Sequence, residues 1–491
     1  MAGPTTLDTD RGSNARDEEL ARLVARNDQL EAEVESLRAD KRRQDARITE
    51  LERKVEELRR KANRQAAPFS REKPKRNPGR PGRRPGADYG KRARRPAPEE
   101  VDEVLCAPLP DGCECGGEIE LDRIAHQYQE ELPELRPIRR RFDVAVGHCR
   151  GCGCRHQGRH PLQTSDALGA AASMLGPGAV ALATRLGKEL RLSPAKISQL
   201  LGEQFGISIT PGGVVGAIAR QARSLEPTYA ALVEGVRASR VVAPDETGWR
   251  VEGSKAWLWA FVGEGLTVYR IAAGRGYEQA VEILGADFGG VLERDGWAPY
   301  RRFALASHQS CLAHLLRRSA EMIADSVAGQ ARIPHALRRL LLDALALRER
   351  RSAGLGEVAL AAEVAALEGQ LEALLGRNPT HRPNQRLLRH LAAEREHLLT
   401  FLTQEGVAAT NWRAEQAIRP AVVNRRSWGG NRSWRGARTQ QVTMSVIRTA
   451  RQQGVDPIEL MTAAQREPEP KVAAMLRIPT RASPAEFETA A

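Results

Sequence analysis

From Leu20 to Leu58 a mostly apolar heptad runs without a break: Leu20, Asn27, Val34, Lys41, Ile48 and Val55 at a, and Leu23, Leu30, Leu37, Gln44, Leu51 and Leu58 at d. A stripe with that repeat can be buried only by another helix, so residues 17–66 are expected to form a coiled coil. β-Branched residues at three a positions and leucine at most d positions favour two parallel strands, and Asn27 supports that register at a cost in stability. Across such a dimer Arg26 meets Glu31, Glu33 meets Arg38 and Arg47 meets Glu52, whereas Asp40 against Asp45 and Lys54 against Arg59 repel. The alternative is a single helix folded back on its own chain.

The remaining sequence asks for more than one core. At 491 residues, two or three compact domains with linkers are expected. Lysine and arginine outnumber aspartate and glutamate 75 to 62, a net charge of +13 that favours a polyanionic partner, nucleic acid first. The amino terminus lacks the basic and apolar regions of a secretory signal, and the Ala- and Gly-rich stretch from Ala167 to Leu186, broken by Pro177 and Arg185, reads as helices that stay out of the membrane. Six of the seven cysteines fall between Cys106 and Cys154 in short-spaced groups, which suit metal binding in a reducing compartment better than disulfides. A cytoplasmic protein is the expectation.

Arg71 to Pro96 is dense in Arg, Lys, Pro and Gly and cannot build a core. Its run NPGRPGRRPG resembles the hooks that lay arginines in the minor groove of A·T-rich DNA, which makes Arg80, Arg83 and Arg84, with Arg92 of the basic stretch that follows, candidate DNA contacts; a solvated linker touching only phosphates is the alternative. Cys113 and Cys115, then Cys149 and Cys152, form two pairs next to turn residues, the arrangement of a structural Zn²⁺ site. The one-residue spacer of the first pair leaves room for Cys106 or Cys154 to replace a member, and unliganded cysteines are the alternative. Between Pro177 and Pro227 the pattern is helical, with Ile197, Leu200 and Leu201 facing inward, a turn at Gly206 and a second helix from Val214 to Arg220. It fits a helix-turn-helix or a purely structural hairpin.

The second half reads as a mixed sheet covered by helices. Strands are expected from Arg240 to Pro244, Ala256 to Val262, Leu266 to Ala272 and Gly290 to Arg294, with a short helix from Tyr277 to Leu284. Asp245 and Asp295 would then close two adjacent strands, where β-rich sequence gives way to Gly and Trp. Residues 313–405 carry helical periodicity and separate Asp295 from Glu415, which opens a basic helical segment. Three rigidly placed carboxylates are what one or two Mg²⁺ ions need against a phosphate. Glu246 should point away from Asp245, as a supporting or solvated residue. Around Glu415, Arg413, Arg419, Arg425, Arg426, Arg432, Arg435 and Arg438 are interleaved with Trp412, Trp428 and Trp434, a composition that neutralises phosphates and stacks on unpaired bases, or else core tryptophans with a solvated arginine face.

The run Asp245-Glu246-Thr247-Gly248-Trp249, the strand-borne Asp295-Gly296, the motif Cys311-Leu312-Ala313-His314 and the stretch NWRAEQAIRPAVVNRRSWGGNRSWRGA beginning at Asn411 resemble the bacterial insertion-sequence transposases of the IS66 (TnpC) family. The resemblance runs over the whole chain. It implies a multidomain α+β protein: coiled coil (17–66), basic DNA-binding linker (67–100), zinc-binding domain (101–165), helical domain (166–238), a ribonuclease-H-like DDE core (239–312 and 406–465) with a helical insertion (313–405), and a tail (466–491). It implies Asp245, Asp295 and Glu415 as catalytic acids binding Mg²⁺ or Mn²⁺, and DNA, a homodimer or higher oligomer, and helper proteins from the same element as partners. His314 would orient a phosphate or bond a catalytic acid with Cys311 packed beneath it; a second zinc pair is the competing reading. Arg413, Arg419, Arg426 and Arg432 would hold DNA. A non-catalytic zinc-containing DNA-binding regulator, or a metal-dependent nuclease that cuts without joining, are the rival functions.

Overall fold

The computed structural model describes residues 96–169, 174–327, 329–466 and 471–480, together with 22–23, 25–44 and positions 19, 46 and 50. The arginines of the expected hook, Arg80, Arg83, Arg84 and Arg92, lie outside the described residues, as do Leu20, Ile48, Leu51, Val55 and Leu58 of the heptad. Residues 25–44 are helical, and Leu23, Leu30, Val34 and Leu37 of the seam are exposed.

The chain divides into two compact units, Ser70–Ile218 and Met1–Phe69 with Ala219–Ala491. In the first, residues 96–145 carry no helix or strand, and β1 (Val146–His148) pairs antiparallel with β2 (Arg155–Gln157). Three helices follow: α1 (Pro177–Lys188), α2 (Pro194–Phe205) and α3 (Pro211–Ser224), which runs on past the boundary. Ser193 caps α2 by accepting from the Lys196 N–H, and Gly206 ends it at φ 61°, a left-handed turn that favours glycine. Ala183, Leu186, Ile197, Leu201, Val214 and Ile218 form the small core, with Leu200 packed against it, as the helical pattern predicts.

The second unit centres on a five-stranded mixed sheet in the order β5-β4-β3-β6-β7. Its strands are β3 (Val241–Val251), β4 (Ser254–Val262), β5 (Thr267–Ala272), β6 (Val291–Arg294) and β7 (Ser307–Ser310). Around them run α4 (Glu226–Ala238), α5 (Tyr277–Leu284), α6 (Leu312–Ala324), α7 (Arg332–Ser352), α8 (Glu357–Leu375), α9 (Arg382–Glu394), α10 (Trp412–Trp428), α11 (Trp434–Gln452) and α12 (Pro457–Arg466). The expected hairpin, short helix and fourth strand are present. One expectation is corrected: β3 does not end at Asp245 but continues through the DETGW run, because pairing with β4 carries it to Val251 and buries Trp249. The chain reverses instead at Glu252-Gly253, both with positive φ.

The leucine-rich helices α6 to α9 share one core with Val241 and Val291 of the sheet, so they pack on it and do not form a separate lobe. On the other edge, β5 would expose unpaired N–H groups. Gln441, Ser445 and Thr449 of α11, four residues apart and so on one helical face, accept from the N–H groups of Ile271, Tyr269 and Thr267 at 2.8–3.0 Å.

Candidate active site

β3 and β6 are parallel, with Val241 opposite Val291 and Val242 opposite Leu292. The same offset carried forward sets Asp295 level with Asp245. The pairing stops after Val242 and β6 ends at Arg294, so the two strands part just below both carboxylates, at the carboxyl end of their parallel pairing, where α/β sheets bind ligands. Asp295 takes the Trp297 N–H at 3.0 Å, and a side chain on Gly296 would collide with the His390 ring of α9, which is why glycine follows the acid.

Glu415 reaches this place through α10. Ala414, Ala417, Ile418 and Ala421 pack in one cluster with Ala243 and Trp249, residues on the same face of β3 as Asp245. Glu293, two residues before Asp295 and therefore on its face, accepts from Arg413 Nη2 at 2.9 Å and from the Ala408 N–H at 2.6 Å. The Asn411 N–H donates to Cys311 Sγ at 3.4 Å, and the Leu312 N–H to the Ala409 carbonyl at 2.9 Å. The start of α10 is thus stitched to β6 and to α6, and His314 Nε2 stands 3.9 Å from Glu415 Oε1. Cys311 is buried beneath, and burial raises its thiol pKa.

The acids act on one another through space. The Asp245 carboxyl is pushed up to about 7, first by burial, then by the Glu246 carboxylate and those of Asp295 and Glu415. Glu246 does point away, but it is not solvated: its side chain is 1 % exposed, accepts from Arg275 Nε at 2.7 Å and from the Tyr300 hydroxyl at 2.7 Å, and its pKa is raised mainly by burial. Among the described residues no group of three or more His, Cys, Asp or Glu is arranged as a ready-made metal cage. The donors nonetheless suit Mg²⁺, which keeps several waters and needs few carboxylates, and a cation would relieve the like-charge crowding felt at Asp245.

Sequence reasoning missed the groups that fix these acids. Arg294 and Glu394 are fully buried and paired at 2.8 Å; Arg294 Nε also bonds His308 Nδ1, and Ser310 donates to Glu394. The signal was available, since two charged residues in the buried four-residue strand VLER need partners.

On α10 and beyond, Arg419, Arg426 and Arg432 are exposed, and so are Trp412 (56 %) and Trp434 (44 %), against a core role for those two indoles. Arg413 is engaged by Glu293, and Arg425 by Thr247 and the Gly248 carbonyl. In the other unit each cysteine pair sits on a tight turn: the Gly116 N–H donates to the Cys113 carbonyl, and the Gly153 N–H to that of Cys149. Cys115 is lowered in pKa by the Gly117 N–H and by Cys113, and Cys152 by Cys154 and Cys149. Thiols biased towards thiolate fit zinc chemistry, but the two turns are not gathered into one four-thiolate group, and Cys106 is exposed.

Two comparisons with known proteins bear on this site. The family model described as Transposase IS66 family matches residues 173–439, which contain all three acids. An uncharacterized protein, y4qI, of Sinorhizobium fredii is 27 % identical over 232 residues, covering 43 % of this chain and 43 % of that protein, so the match spans less than half of the relative's length.

Proposed function

The chain belongs to the IS66 family of transposases, and on that premise we propose that it cuts and joins DNA by a DDE mechanism with Asp245, Asp295 and Glu415 as the metal-binding acids. The observation that carries this reading is the register: Asp245 on β3 level with Asp295 just past the end of the neighbouring parallel strand β6, with Glu415 on α10, which packs on the same face. A five-stranded sheet with three antiparallel strands continued by two parallel ones, covered by helices, agrees with a ribonuclease-H-like core holding residues 313–405 as its insertion.

Asp245, Asp295 and Glu415 would hold Mg²⁺ or Mn²⁺, which when bound supplies charge neutralisation at the phosphate and an activated attacking oxygen. The protein's own part is positioning. β3 and β6 fix the aspartates, Glu293 and Arg413 fix the start of α10, and His314 faces Glu415 at 3.9 Å, from where it would donate a hydrogen bond to that acid or to a phosphate oxygen once DNA is bound. Hydrolysis and strand transfer are both in-line displacements at phosphorus, so one set of acids serves water first and a 3′-hydroxyl next. Arg419, Arg426 and Arg432, with Trp412 and Trp434, hold the DNA flank; Arg413 contributes through the fold of α10. Cys113, Cys115, Cys149 and Cys152 would hold a structural Zn²⁺, and the bare seam of Leu23, Leu30, Val34 and Leu37 would pair two copies.

The test is Asp245→Asn. Cleavage of supercoiled plasmid carrying the element ends in Mg²⁺ should fall to background while DNA affinity is retained. Cleavage at the wild-type rate would overturn the assignment.

A further inference from the structure

A second basic surface approaches the acids from the face of the sheet opposite α10. Directly paired residues of antiparallel strands share a face, so Gly248 with Trp257 and Glu246 with Trp259 place both indoles away from Asp245. There cations and indoles alternate: Lys255 Nζ lies 5.2 Å from the Trp257 ring centre, Arg275 4.8 Å from the same ring, and Arg275 again 3.8 Å from that of Trp297. The row ends at the acids, because the backbone N–H of Trp297 donates to Asp295 Oδ1.

Arg275 is held as a reader of phosphate would be. One edge of its guanidinium, Nε and Nη2, is taken by buried Glu246, itself held by Tyr300, which leaves Nη1 turned from the carboxylate and the side chain 30 % exposed. Lys255 is exposed and makes no ion pair among the described residues. The Trp297 indole N–H is buried without a partner.

We propose that Lys255, Trp257, Arg275 and Trp297 form a track for a DNA strand entering the site, with Lys255 and Arg275 taking its phosphates and the indoles fixing the two cations. This rests on the catalytic reading of Asp245 and Asp295. It adds a DNA contact on the side away from Arg419 and Arg426, so that two lengths of DNA meet at one set of acids, as joining requires.

The experiment titrates the full chain with a fluorescein-labelled duplex of mixed sequence, blunt or with a single-stranded 3′ extension, over a series of salt concentrations. Lys255→Glu should weaken binding about ten-fold and lower the salt slope by about one. Arg275→Ala alone would strand Glu246, so Glu246→Gln is combined with Arg275→Gln, and thermal melting reports whether that variant folds. Folded, it should lose a similar factor; unfolded, Lys255→Glu decides alone. Loss restricted to the extended probe assigns the track to a single strand, and equal loss on both assigns it to duplex; either supports it. Arg419→Ala with Arg426→Ala probes the α10 side. If that variant loses affinity while the track variants keep theirs, the track is overturned and the α10 reading stands. If the track variants lose affinity and the α10 variant does not, the track stands and the α10 reading falls.

Discussion

Arg294 and Glu394 show how much one buried pair decides. Neither is exposed, and Arg294 Nη2 and Glu394 Oε1 lack hydrogen-bond partners, so the pair joins α9 to the Asp295 strand without perfect satisfaction. Glu394→Gln should cost about 3–5 kcal/mol in urea unfolding, because it leaves the guanidinium buried and uncompensated, whereas Arg294→Met with Glu394→Leu should cost far less. A single variant as stable as wild type would show the pair to be idle. Beside it His308 titrates at about 4, held down by burial, Arg294 and His397. The folded ring binds its proton more weakly than the unfolded one, whose reference value is 6.5. Stability should therefore be unaffected by His308 above pH 6.5, fall as pH drops from there to about 4, and fall no further from this source below. Denaturation midpoints across that window should show a shallower slope in His308→Gln, and an unchanged slope would contradict the assignment.

At the scale of elements, α11 does two jobs that its polar sequence conceals. Its Gln441, Ser445 and Thr449 are buried against the edge of β5 and finish that strand's hydrogen bonding. Ser445→Ala should leave the Tyr269 N–H unpaired and cost about 1–3 kcal/mol. Hydrogen exchange at the Tyr269 amide should accelerate beyond the change in global stability; exchange that follows global stability alone would refute the edge-sealing role. The entry to α11 is equally specific. Gly430 sits at φ 125° against the Arg250 carbonyl, where any side chain would strike backbone, so the glycine of SWGGN is a docking requirement that Asn431 completes by accepting from Trp249 Nε1.

For the whole molecule, the proposed structural zinc belongs to one of the two units. The Ser70–Ile218 unit contains the cysteine turns and many exposed apolar residues between Val101 and Val146, so it is the unit that would gain most from a metal. About one Zn²⁺ per chain is expected on metal analysis, lost in Cys149→Ser with Cys152→Ser. A metal-free preparation with unchanged near-ultraviolet circular dichroism would refute the structural role. No helix among the described residues is long and apolar enough to cross a membrane.

Local patterns determined what local physics governs: the heptad of Leu23, Leu30 and Leu37, the helix Tyr277–Leu284, the β4–β5 hairpin and the two strands that carry Asp245 and Asp295 are periodicities and turns a single stretch can specify. The acidic residues stand out in the sequence because their neighbourhoods are unusual, and the strand register sets two of them, Asp245 and Asp295, level. Only the tertiary structure decided that β3 runs on past Asp245, that Glu246 is buried on Arg275, that Arg413 serves Glu293 before any phosphate, and that Glu394 reaches Arg294 from across the insertion. Each of these is a partner choice between residues distant in sequence. A charged side chain carries no record of its partner in its own local pattern, and burial, which depends on the whole chain, settles the match.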